Sequence, residues 1–223
     1  MEDAKISMNP LCEFVFASTK KKATLVRNQK KPITYRVARY RLAKSRMVKF
    51  IKNGFSYDEI ISGINDLQAK QCLTEFQRND RNTSIEALRL FLELQFPKDF
   101  DKLKCSFVPI EQKEIVVDGV LIIISPDLIL RWEKDGKKYI GGIKFHISKS
   151  SKFDYEKASF AAGLLYLYLQ KKVAGPDEIV DSSSCLCVDV FSTRICSTPR
   201  DKSEFSIKLK DACHEIKLLW EAA

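Results

Sequence analysis

The sequence predicts an α/β chain of the α+β kind, in which a small mixed sheet with an antiparallel three-strand meander is flanked by helices and preceded by a helical N-terminal segment. Three observations carry this. Two Asp-Gly pairs, Asp118-Gly119 and Asp135-Gly136, punctuate the β-branched runs that begin after Ser106. Upstream, apolar residues recur at helical spacing behind two capping-box signals, Ser56 with Glu59 and Thr83 with Glu86. Downstream, a mostly apolar stretch from Lys152 to Lys172 is stopped by Gly175-Pro176.

The elements follow in order. Residues 35 to 52 place Val37, Tyr40, Met47 and Ile51 near one stripe and Arg36, Arg39, Arg46 and Lys49 near another, which describes a basic amphipathic helix. Asn53-Gly54 supplies its stop, and the Ser56 box opens a second helix toward Gln71. The Thr83 box starts a third, through Ala87, Leu88, Phe91, Leu92 and Leu94, which Pro97 ends. The meander then takes residues 111–117, 120–133 and 137–147, with a bend at Ser125-Pro126 because Pro126 removes a ladder donor. A helix over 152–172, a strand from Cys185 to Thr193 and a helix from Glu204 or Ser206 to Glu221 complete the order. The expected organisation is a basic helical segment over 1–82 and a core over 83–223, packed as one compact unit, since 223 residues at 45% apolar content bury one good core.

Charge is unevenly placed. The chain has 38 Lys and Arg against 29 Asp and Glu, a net +9, yet 13 of the basic residues and no acidic one lie between Lys20 and Lys52. Such a stretch faces either a polyanion or plain solvent. The longest apolar stretch, Ala158 to Leu169, is too short for a membrane span, and the first 20 residues lack the apolar core of a secretory signal, so a cytoplasmic protein with no membrane partner is expected. Seven scattered cysteines without a Cys-x-x-Cys, and only two histidines, argue against a disulfide framework and a structural zinc site. Cys185 and Cys187 read as small apolar residues of a buried strand rather than as ligands of an iron–sulfur cluster.

One pair stands out. A two-residue Asp-Gly loop sets Lys134 opposite Lys137, and continuing that register sets Asp127 opposite Lys144. Leu128, Leu130, Trp132, Tyr139, Ile143 and Phe145 then share a core face, while Asp127, Ile129, Arg131, Glu133, Lys138, Ile140, Gly142, Lys144 and His146 share the other. An exposed ion pair across a hairpin has the same geometry and contributes at most about 1 kcal/mol.

Pro126-Asp127, a hairpin, then Ile140-Gly-Gly-Ile-Lys144 ahead of a long helix resembles the PD-(D/E)XK nuclease superfamily, especially its RecB-like branch, over roughly residues 83 to 220. The resemblance implies a restriction-endonuclease-like core, Mg²⁺ as cofactor, Asp127 as a metal ligand and Lys144 as the lysine that positions or activates water. The sequence departs from the motif at Gly142, where the family carries a second acid, and the loss of a carboxylate weakens Mg²⁺ binding. Glu133 lies about 20 Å along the strand from Asp127, and Glu114, opposite Ile123, about 13 Å. Glu93 or Glu86, on the preceding helix where the family places a helical Glu, is the better replacement; Glu86 also reads as a capping partner, which favours Glu93 as the second ligand. His146 shares the face of Lys144 and is a weaker candidate to orient water or contact phosphate, while Asp189 reads as structural.

Three functions fit. The favoured one is a nucleic-acid-binding protein with a nuclease-like fold that no longer cleaves, with Arg36, Arg39, Arg46 and Lys49 on phosphates. The others are an active Mg²⁺-dependent endo- or exonuclease with a migrated acid, and a protein-interaction module. DNA or RNA preference and homo-oligomeric state are not legible.

Overall fold

The chain runs β1 (Lys5–Ser7), α1 (Met8–Val15), α2 (Thr19–Lys30), α3 (Arg41–Lys52), α4 (Tyr57–Ala69), α5 (Glu75–Leu92), β2 (Ser106–Phe107), β3 (Glu114–Val117), β4 (Val120–Ile123), β5 (Leu128–Lys134), β6 (Lys137–His146), α6 (Tyr155–Lys172), β7 (Glu178–Asp189), β8 (Arg194–Ser197) and α7 (Lys202–Ala222). The computed structural model describes residues 3–31 and 39–223. The mixed α/β class is as expected. Among the described residues no helix is long and apolar enough to cross a membrane.

The meander is divided between two sheets. Strands β3 and β4 pair with β1 in a three-stranded sheet, β1 running parallel to β4, whereas β5 and β6 belong to a five-stranded sheet in the order β2-β5-β6-β7-β8. The break falls where the bend was expected: Ser125 is left-handed at φ 45°, and Pro126 has no amide to continue a ladder. Both Asp-Gly turns hold positive φ at each central residue (Asp118 45°, Gly119 80°; Asp135 52°, Gly136 69°). That is the type I′ geometry whose twist suits a hairpin. It fixes Glu114 opposite Ile123 and Leu128 opposite Ile143, as expected.

Helix α5 starts eight residues before the expected box at Thr83, and the expected boundary at 82/83 falls inside it. The working box is Thr74, whose hydroxyl accepts from the Gln77 amide at 3.2 Å while Gln77 Oε1 accepts from the Thr74 amide at 3.2 Å. Thr83 sits mid-helix with its hydroxyl turned back to the Asn79 carbonyl at 2.8 Å, a bond that hides its capping potential. Helix α3 begins at Arg41, because Tyr40 is left-handed at φ 60°; Arg36 and Val37 lie outside the described residues. Strand β7 is longer than expected and is followed by β8, and β1 was not anticipated, while α1 and α2 fall in the segment expected to be helical.

Away from the exposed Asp135-Gly136 turn, the five-stranded sheet is buried on both faces. Leu128, Leu130, Ile143 and Phe145 pack with Leu186 and Val188 against Met47 of α3, Ile60 of α4 and Phe91 of α5. On the opposite face Ile129, Ile140, Cys185 and Cys187 pack against Leu164 and Leu165 of α6, in a core that also holds Ile115 and Ile122 of the small sheet. The face that carries Asp127 and Lys144 is therefore covered by α6, the crossover helix between the parallel strands β6 and β7, while Glu133 and Lys138 near the turn stay exposed. Parallel pairing with a helical crossover buries both sides of a sheet.

Candidate functional site

Asp127 immediately precedes β5 and sits beside Lys144 as the register requires. The Asp127 amide donates to the Ile143 carbonyl at 2.9 Å, extending the ladder by one residue. Its Oδ2 accepts from the Phe145 amide at 2.8 Å and lies 3.6 Å from Lys144 Nζ. Lys144 Nζ donates to the Ser125 carbonyl at 2.6 Å, an acceptor presented by the bend at Ser125-Pro126. Both side chains are buried, with Asp127 7% exposed and Lys144 10%. Burial pushes the Lys144 ammonium below its ordinary range, the carboxylate of Asp127 opposes that shift, and the nearby Lys44 adds to it.

Lys44 was not anticipated. It stands on the basic helix α3, and its Nζ lies 2.5 Å from Asp127 Oδ1. Nothing in the local pattern singles it out among the 13 basic residues between Lys20 and Lys52; only packing of α3 on the sheet brings it to the hairpin. Asp127 is thereby held between two ammonium groups, with both of its oxygens engaged.

That donor set does not fit a divalent cation. Gly142, where the resemblance would call for a second acid, is packed under α6: a Cβ there would meet the Leu128 carbonyl at 3.1 Å and both Leu165 methyls at 3.4 Å. A carboxylate at this position would lie against leucine. Glu93 caps the C-terminal end of α5 and is exposed, and Glu86 is ion-paired with Lys149 at 2.7 Å rather than serving as a capping partner. Among the described residues no group of three or more His, Cys, Asp or Glu side chains is placed to hold a metal, whereas Mg²⁺ needs near-octahedral oxygen ligation.

His146 is 4% exposed. Its Nε2 lies 2.6 Å from the Ser151 carbonyl, and its ring stacks on Phe153 with centroids 3.7 Å apart. Burial pushes its pKa down against the opposing pull of the Ser151 carbonyl and Asp189. Asp189 is fully buried and accepts from the Phe153 amide at 2.5 Å and the Ser192 amide at 2.8 Å, which is the structural role expected of it.

The basic stretch is only partly available to a partner. Lys21 pairs with Glu13 and Lys22 with Glu215, each at 2.5 Å, and Lys30 donates to the Trp220 carbonyl at 2.6 Å, so three of the five basic residues of α2 are engaged by α1 and α7. Arg46 pairs with Glu59 at 3.0 Å and also with Asp66 of α4, which removes it from the expected phosphate contacts. Arg39 is exposed over the Phe76 ring at 5.0 Å, Lys49 is exposed, and Lys44 is at the cluster. No protein-family model matches the chain, and no curated protein sequence matches it.

Proposed function

We propose that this chain is a nucleic-acid-binding protein built on a nuclease-like core whose cleavage chemistry has been lost. The observation that carries the reading is the contact between Lys44 and Asp127. It sets the basic helix beside the hairpin that holds the PD-(D/E)XK-like residues, and it puts a lysine where a cleaving enzyme would keep a carboxylate open for metal. The filled space above Gly142 supports the same conclusion, since the second acid has no room to return without moving Leu165. One carboxylate between two ammonium groups leaves a net positive centre, which attracts phosphate and repels a divalent cation.

Backbone binding of this kind is strongly salt-dependent. With Arg39 and Lys49 as the phosphate contacts, the logarithm of affinity for duplex DNA should fall against the logarithm of salt with a slope of about −2. Arg39→Ala or Lys49→Ala should each reduce that slope by about 1. The test is fluorescence anisotropy with a labelled 20-nucleotide strand and its duplex between about 50 and 300 mM KCl, together with incubation in Mg²⁺ or Mn²⁺ and analysis of strand length. Salt-sensitive binding without cleavage is the expected result. Failure to bind at low salt overturns the reading in favour of a protein partner, and metal-dependent cleavage that Asp127→Ala abolishes overturns it in favour of an active nuclease.

A further inference from the structure

Lys44 is not the only cation that α3 presents. Arg41, Ser45 and Lys49 follow one another at four-residue spacing, which puts them in one row along the helix, about 12 Å from end to end at 1.5 Å per residue. This row forms one side of a groove of about 550 Å³. The first half of α5, through Gln77 and Asp80, forms another side, and Lys70, just after α4, also lines it.

The charges of this lining do not cancel. Arg41, Lys49 and Lys70 are exposed, and none has an acidic partner among the described residues. Arg46 also lines the groove but is engaged by Glu59 and Asp66. Asp80 is the one carboxylate in the lining, and its Oδ1 accepts from the Tyr40 amide at 3.1 Å. Three unpaired cations against that carboxylate leave a net charge of +2. The neutral group points the same way: Gln77 Oε1 accepts from the Leu73 and Thr74 amides at 2.8 and 3.2 Å, so its NH₂ group is left as a donor. The backbone behind these groups is tied down, because Arg81 donates to the Lys70 carbonyl at 3.4 Å and Gln77 caps α5. Little ordering of the chain is needed to bind an anion here.

We infer that this groove seats the sugar–phosphate backbone of the nucleic acid, with Arg41 and Lys70 joining Lys49 as phosphate contacts and the Gln77 amide donating to a phosphate oxygen. The inference rests on the nucleic-acid-binding reading and adds where the backbone runs. A row of cations about 12 Å long suits an anion whose charge repeats along its length better than a compact one, and a positive groove is a track for a phosphate backbone. Contacts of this kind position the backbone and read no bases, so they carry no sequence preference.

The test uses the full chain in the same anisotropy titrations, with the labelled strand and its duplex. Adding Arg41 and Lys70 to Arg39 and Lys49 deepens the salt slope for the duplex from about −2 to about −4. Arg41→Ala and Lys70→Ala should each take about 1 from that slope and weaken binding about 8-fold near 0.1 M salt. Asp80→Asn keeps an oxygen for the Tyr40 amide and removes the opposing charge, so it should tighten binding several-fold, a gain that misfolding cannot produce. Lys137→Ala, at the exposed β5–β6 turn and outside the groove, should change neither slope nor affinity. Melting temperatures of the Arg41, Lys70 and Lys137 variants should stay within about 2 °C of the unaltered chain, since these side chains are exposed. A slope near −2 with the Arg41, Lys70 and Asp80 variants silent, or an equal loss from Lys137→Ala, would overturn the inference and leave the function reading standing. Failure of the unaltered chain to bind either probe would overturn the function reading itself.

Discussion

Removal of the Asp127 carboxylate should reveal how much the fold depends on the buried charge cluster. In Asp127→Ala the Lys144 ammonium, 10% exposed, loses its buried counter-charge, and the Phe145 amide loses the acceptor it holds at 2.8 Å. Breaking a buried pair from one side costs about 3–5 kcal/mol, most of it from the charge left behind. For a chain of this size, about 2–4 °C per kcal/mol gives a melting point lower by about 6–20 °C. Asp127→Asn keeps an acceptor for the amide and removes only the charge, so its loss should be smaller. Combining it with Lys144→Met removes both buried charges and should bring the chain back to within about 1 kcal/mol of the unaltered protein. Circular dichroism melts and urea titrations of the three variants measure these differences. The sign with pH is also fixed. Lys144 titrates below its ordinary 10.5 in the folded state, so between its folded value and 10.5 the unfolded chain binds more protons and stability rises with pH. Without Asp127 the folded value drops further, and the deficit of the Ala variant shrinks as pH is raised. An Asp127→Ala chain within about 1 kcal/mol of the unaltered one, or a double variant no more stable than Asp127→Asn alone, would refute the buried-pair reasoning.

Three further outcomes are expected. Gly142→Asp forces a carboxylate against Leu165 and the Leu128 carbonyl; urea unfolding should show a loss of at least about 3 kcal/mol, with no gain of metal-dependent cleavage, and an unchanged midpoint would mean that Leu165 swings clear. Although burial pushes Glu13 upward, the bonds from Lys21 and Ser151 prevail and hold it below its ordinary 4.5. Its contribution is therefore present above about 4.5 and lost as pH falls, and Glu13→Gln should flatten the acid limb of a melting-temperature profile. Five of the seven cysteines are buried and Cys72 and Cys105 are half-buried; burial pushes the Cys213 thiol up to about 12. A thiol-reactive dye should label two cysteines in the native protein and seven in denaturant; rapid labelling of more than two would show that the core opens.

The placement of Asp127 against Lys144 was legible because it depends on a turn. Asp135-Gly136 requires a two-residue I′ loop, and a two-residue period carries that register along the hairpin with no information from elsewhere in the chain. The bend at Ser125-Pro126 was legible for the same local reason, although what it does was not: it transfers the chain from one sheet to another. The position of Thr83 misled because a capping box is a pattern of side-chain types, and the same residues occur inside a helix when a stronger box stands two to three turns earlier, as Thr74 and Gln77 do.

The sequence by itself determined the type I′ turns, the hairpin register, the helix over the apolar stretch after Lys152 and the crowding of positive charge between Lys20 and Lys52. These follow from backbone sterics, side-chain periodicity and composition, which act over a few residues. Tertiary structure alone decided where six of those charges go: Lys21, Lys22, Lys30 and Arg46 hold helices together, while Lys44 reaches Asp127 and Arg39 lies over the Phe76 ring. It also decided that the Asp127 and Lys144 end of the hairpin's polar face is buried under α6. The physical reason is that an ion pair acts across about 4 Å of space regardless of separation along the chain, so the partner of each lysine is set by how α2 and α3 pack.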